Sequence, residues 1–236
     1  MIAAIINAIG IAIGGTLGTL FRGKINEKLI NALMTAMGLV VVVIGVQGAV
    51  GSNDLLCVVL SLAIGAMIGE LLHIDVFLDG IGDKVKAKLN GKKFAEGRFT
   101  EGVITASILF TVGAMAILGA IEAGINHNYS ILLTKTVMDT ISAVALSAAM
   151  GIGVVFALVP VLVWEGAIAI LAHAVSPILS AAVITEMSAA GGAMFIGMGI
   201  NMTGIADRKI NIANLIPALF APIIYVPLAS WLGGLF

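Results

Sequence analysis

Charge is scarce in this sequence. Only 11% of its 236 residues are Asp, Glu, Lys or Arg, against about 25% in a soluble domain. The 12 basic and 13 acidic residues nearly cancel, so no basic field is present to hold a nucleic acid. Cysteine is nearly missing. A single Cys57 excludes an internal disulfide and a multi-cysteine metal site, and its apolar surroundings suit packing. His73, His127 and His173 stand far apart in the chain, so no metal site is expected. There is no HExxH helix, no G-x-S-x-G elbow and no phosphate-binding P-loop. No enzyme chemistry, no cofactor and no nucleotide-driven mechanism is expected.

What is abundant is apolar. Hydrophobic residues make up 60% of the chain, and the mean hydropathy is +1.16. About 20 apolar residues cross a bilayer, and eight such runs can be drawn, with seven as the alternative count. They cover 2–20, 29–50, 55–72, 103–125, 131–150, 154–174, 177–203 and 213–235. The expected fold is therefore an all-α, polytopic membrane bundle, with 1–236 as one integral membrane domain. The opening run has no basic region before it, so it is expected to be a retained span and not a cleaved signal.

Positive charge sets the expected orientation. Arg22, Lys24 and Lys28 follow the first run. Lys84, Lys86, Lys88, Lys92, Lys93 and Arg98 follow the third, and Arg208 and Lys209 follow the seventh. These linkers belong in the cytoplasm by the positive-inside rule, which places both termini outside. The turn AMGIG at 149–153 should also be cytoplasmic, yet it has no charge. The linker 75–98 alternates apolar and charged positions (Phe77, Leu78, Ile81, Val85, Leu89). It is expected to be an amphipathic helix on the inner membrane surface.

The 29 glycines recur in patterns. AIGGTLGTL and AIGAMIGEL both hold Gly-x-x-x-Gly, at Gly14 and Gly18 and at Gly65 and Gly69. Such faces let helices approach closely, within one chain or between copies in a homo-oligomer. KINEKLINAL resembles KINIANLIPAL, and VIGVQGAV resembles VLVWEGAI. Duplication of a parallel helical hairpin and shared composition both account for these likenesses.

A few polar residues interrupt the apolar runs, and ionisable groups at membrane depth usually face a bundle interior or water. Glu122 and Lys135 flank the polar turn NHNYS, so an antiparallel hairpin would bring them to similar depth. Asp139 lies four residues after Lys135, on the same helix face. Glu165 and Glu186 are further intramembrane carboxylates, and Thr134, Thr136, Thr140, Ser142, Thr185 and Ser188 add hydroxyls. Glu70, beside His73 and Asp75, reads as an interface residue. Asn201, in GMGINMTGIADRK, is either a ligand on a broken helix or part of a helix end stopped by Gly204.

These motifs carry a resemblance. The chain resembles the YdfK/YqgA-like bacterial membrane proteins, a family of unknown function, over nearly its whole length. The likeness rests on AIGxxxGxL, GELLHID, VGAMAILGAIEAG, KTVMD, VITEMSAAGG and KINIANLIPAL. Lys135-Thr136 stands where the family pattern usually has Lys-Ser, which keeps the hydroxyl. The resemblance implies a bacterial inner-membrane protein but no substrate.

Two functions follow from these residues. One is a small secondary transporter or channel for an ion or small polar solute, driven by a proton or sodium gradient. Its site would comprise Glu122, Lys135, Asp139, Glu165, Glu186 and Asn201. The other is a non-transporting membrane scaffold or regulator that works through the linker 75–98.

Overall fold

The computed structural model describes residues 1–22, 24, 26–88 and 98–233. The described residues are helical and form no strand. In order they are α1 (Ile2–Arg22), α2 (Glu27–Ala49), α3 (Leu55–Leu71), α4 (Ile74–Lys88), α5 (Phe99–Thr111), α6 (Ala114–Ile125) and α7 (Ser130–Met150). A 3-10 segment (Ile152–Ala157) leads into α8 (Leu158–Ile170), the single turn α9 (Ala172–Val175) and α10 (Ala181–Thr203). A second 3-10 segment (Ala213–Leu219) precedes α11 (Ala221–Gly233). Among the described residues, six helices are long and apolar enough to cross a membrane, and up to eight spans result if each of two bent pairs counts as one. The protein is a helical membrane bundle of six to eight spans.

The expected runs are modified where the backbone breaks. The third continues past Leu72 into α4 through a 57° bend at His73, whose φ is +49°. The fourth is two helices, because Gly113 adopts φ +133°, a region open in practice to glycine. α5 and α6 meet there at 57°. The seventh begins at Ala181 and not at 177, because the Ser180 side chain caps the Val183 N–H. The sixth and eighth runs open as 3-10 segments. Pro160 lies in the first turn of α8, where its missing N–H has no partner to lose.

Small residues place the helices. A side chain at Gly14 would meet the Thr140 carbonyl, and one at Gly18 would meet the Val144 carbonyl and Ser147. α1 and α7 therefore run parallel in backbone contact. Gly38 meets Gly199 and Gly45 meets Gly192, so α2 and α10 run antiparallel. Gly65 and Gly69 meet Ala218 and Asn214, which seats α3 against the second 3-10 segment. All four glycines singled out in the sequence pack within one chain. The similar segments around Gly14 and Gly65 thus share a packing chemistry and differ in partner.

Two polar networks secure the ends. At the basic end, Asn214 donates to Glu70 Oε2 (2.8 Å) and accepts from the Asp75 N–H (2.9 Å), while Asn211 donates to Asp75 (2.9 Å). These bonds tie the α3–α4 bend to the second 3-10 segment. Arg22 donates to the Ala149 and Ala148 carbonyls at the end of α7. It brings to the AMGIG turn the positive charge that the turn lacks. At the other end, Glu186 accepts from Ser52 Oγ (2.6 Å) and from the Asn53 and Asp54 N–H groups (2.8 and 3.2 Å). Asp54 caps α3 and accepts from the Tyr225 hydroxyl at 2.8 Å.

α4 is the described part of the linker 75–98. Val76 and Phe77 are exposed along it, and residues 89–97, including Leu89, Lys92 and Lys93, lie outside the described residues.

Candidate functional site

The deepest polar cluster assembles on α1, α7 and α8, beside the break in the fourth span. α7 buries Lys135, Asp139, Ala143 and Leu146, one stripe at helical spacing. The Lys135 ammonium bonds Asp139 one turn on and lies 3.3 Å from Glu165 Oε1 on α8. It also donates to the Phe110 carbonyl at 2.6 Å. That carbonyl sits in the last turn of α5, where no helix continues to satisfy it. The break at Gly113 therefore supplies an acceptor, and a cation at a helix C-terminus is favoured by the helix dipole.

Asn7 on α1 completes the cluster. Its Nδ2 donates to Asp139 Oδ2 at 3.0 Å and to both Glu165 oxygens at 3.0 and 3.2 Å. The four residues are sealed: exposure is 6% for Lys135, 7% for Asp139 and 0% for Asn7 and Glu165. Asn7 Oδ1 is buried without a partner among the described residues. Asn7 is absent from the residues singled out by sequence. A signal for it existed: Asn7 lies seven residues before Gly14, on the buried small-residue stripe of α1.

The other expected site residues are placed elsewhere. Glu122 does not reach Lys135. Its carboxylate accepts from Asn126 at 3.0 Å, and its carbonyl accepts from the Asn126 and Asn128 N–H groups. The α6–α7 hairpin sets Gly119 against Ile131 and Leu132, which leaves Glu122 near the turn while Lys135 points toward Phe110 and Glu165. Glu186 is buried at the opposite end of the bundle from Arg22, where its oxygens cap the α2–α3 turn. Asn201 clasps Ile210, accepting from its N–H (2.9 Å) and donating to its carbonyl (2.8 Å). α10 ends there, at Gly204 with φ +71°, as a left-handed stop. The hydroxyls form no common pocket. Thr134, Thr136, Thr140 and Thr185 each donate to the carbonyl four residues back on their own helix, as hydroxyls in apolar helices do. Among the described residues no three His, Cys, Asp or Glu side chains converge to hold a metal ion.

A family model described as "Protein of unknown function (DUF554)" matches residues 2–227. The chain belongs to this family. It is 28% identical over 226 residues to the uncharacterized membrane protein YdfK of Bacillus subtilis (strain 168), covering 94% of each chain. It is 27% identical over 237 residues to the uncharacterized protein YqgA of Escherichia coli (strain K12), covering 98% of this chain and 97% of that one. No solved structure matches. Both relatives are matched over nearly their whole length, and YdfK is itself named a membrane protein.

Proposed function

We propose that this protein is a small proton-coupled secondary carrier of the bacterial inner membrane, and that Asn7, Lys135, Asp139 and Glu165 are its coupling site. One observation carries the reading: the sealed cluster holds two carboxylates against one ammonium. Its formal charge is one negative unit, in a setting where an uncompensated charge is costly. One proton shared between Asp139 and Glu165 removes that charge. A sodium ion would find Asn7 Oδ1 unengaged among the described residues, while Asp139 Oδ2 and both Glu165 oxygens already accept from Lys135 or Asn7. A carboxyl that changes protonation is the usual intramembrane proton relay, and broken helices are where transporters place such sites.

The basic linkers support a cytoplasmic assignment for the end holding Arg22, Arg98 and Lys209, with both termini outside. The exposed apolar side of α4 supports its lying on the inner membrane surface.

Infrared spectroscopy in lipid tests the shared proton. The wild type is expected to show a protonated carboxylic-acid band at neutral pH. Asp139→Asn and Glu165→Gln should each remove the same band, because the surviving carboxyl then ionises beside Lys135. Both variants should also stop potential-driven proton movement into proteoliposomes. If both keep the band and the proton movement, the cluster is a structural ion set, and the scaffold reading takes its place.

A further inference from the structure

A polar cavity of about 390 Å³ lies at the basic end, between α4, the start of α5, the end of α10 and the segment 209–213. Its size falls within the roughly 300–1,000 Å³ of small-molecule sites, where a few placed polar groups work on an apolar wall. Three carboxylates line it, Asp75, Asp79 and Glu101, against one ammonium, Lys209. Two of the three are served by the chain itself. Lys209 Nζ lies 3.3 Å from Glu101 Oε2, and Arg98 bonds the same oxygen. Asp75 accepts from Asn211 at 2.9 Å. Asp79 is exposed and has no partner among the described residues.

Thr105 points to an occupant independently of these charges. It lines the same cavity one turn beyond Glu101 and is only 3% exposed. Thr111, Thr136 and Thr140 each donate to the carbonyl four residues back. The Thr105 hydroxyl makes no such bond and has no other partner among the described residues. It is not walled in either. The hydroxyls enclosed on every side without a partner are those of Ser107, Ser147 and Ser188. The Thr105 oxygen therefore keeps the little open surface the residue has, and that surface gives on the cavity. Buried polar groups are nearly always satisfied, so this hydroxyl asks for a partner from the cavity side.

We propose that this cavity binds a compact organic ammonium ion. The excess of carboxylate over ammonium on its wall selects a cation. A bare metal ion fits poorly, because among the described residues no three His, Cys, Asp or Glu side chains converge to hold one. An ammonium needs no such convergence, since its N–H groups donate in separate directions. They would meet the Asp79 carboxylate and the Thr105 hydroxyl, and the carbon body would lie on Ile104, Met198 and Ile212. Calling this ion the cargo rests on the carrier reading above; its binding does not.

The test uses the full chain in nanodiscs of zwitterionic lipid, with empty nanodiscs as the blank. Calorimetric titrations compare 2-phenylethylamine, 2-phenylethanol and 3-phenylpropanoate, which share a body and differ in the head. Saturable heat is expected with the amine alone, and it should weaken as salt rises. Asp79→Asn should weaken the amine by about tenfold or more, the worth of a hydrogen bond to a charged group. Thr105→Val should weaken it by about three- to tenfold, and Thr105→Ser should restore it. Equal or tighter binding of the alcohol or the acid overturns the proposal, as does an amine affinity unchanged in both Asp79→Asn and Thr105→Val. Saturable heat from magnesium chloride with none from the amine also overturns it and assigns the cavity to a metal ion. Amine binding without proton movement in proteoliposomes leaves this site standing and removes the carrier reading.

Discussion

Lys135→Met separates charge from geometry in the cluster. Methionine keeps the length and apolar stem of lysine but removes the ammonium. Two losses follow. Asp139 and Glu165 lose their common cation, and removing one partner of a buried ion pair costs about 3–5 kcal/mol. The Phe110 carbonyl, bonded to Nζ at 2.6 Å, is left unpaired at a further cost of about 1–3 kcal/mol. The triple variant Lys135→Met, Asp139→Asn, Glu165→Gln removes both carboxylate charges and keeps only the carbonyl loss. It should therefore be more stable than Lys135→Met alone by about 3–5 kcal/mol. Either carboxylate replacement alone leaves one carboxylate facing Lys135 and should cost far less. Reversible unfolding in mixed micelles, followed by tryptophan fluorescence, measures each corner of the cycle. A triple variant no more stable than Lys135→Met would refute the reasoning, because the cost would then lie in packing and not in charge.

Two further outcomes test how the bundle is held. Gly18→Leu should prevent folding, since a side chain there runs into the Val144 carbonyl and Ser147, whereas Gly166→Ala should be tolerated, its nearest contact being Met1 Sδ at 3.4 Å; yield of monodisperse protein after extraction reads both. Arg22→Gln should lose about 1.5–3 kcal/mol at the end of α7, the worth of hydrogen bonds from a charged donor, seen as faster amide exchange around residues 148–153 with little change around Lys135.

Much of this protein was legible because membrane constraints act locally. A span must satisfy its own backbone groups, so long apolar runs become helices whatever they pack against. That determined the all-helical bundle and nearly all of its spans. The Lys135–Asp139 pair was legible for a similar reason: four residues on one helix share a face. Gly14, Gly18, Gly65 and Gly69 were legible as packing faces because a missing side chain permits backbone contact in any partner.

What the sequence could not determine is which faces meet. Glu122 and Lys135 flank one polar turn in the sequence, but Gly119 packs against Leu132, so Lys135 is carried past Glu122 to Phe110 and Glu165, and Glu122 bonds Asn126 instead. Glu165 joins the pair only because α8 presents it to the same interior, and Glu186, chemically identical, is drawn into the α2–α3 turn by two backbone N–H groups and Ser52. Asn7 is one amide on an apolar helix, and its role exists only once the Gly14–Gly18 face has set α1 against α7. The break at Gly113 is a matter of one backbone angle, φ +133°, yet it frees the Phe110 carbonyl for Lys135. Periodicity follows from the chain's own geometry and is written in the sequence; rotation, register and the meeting of distant carboxylates are settled only when the helices pack together.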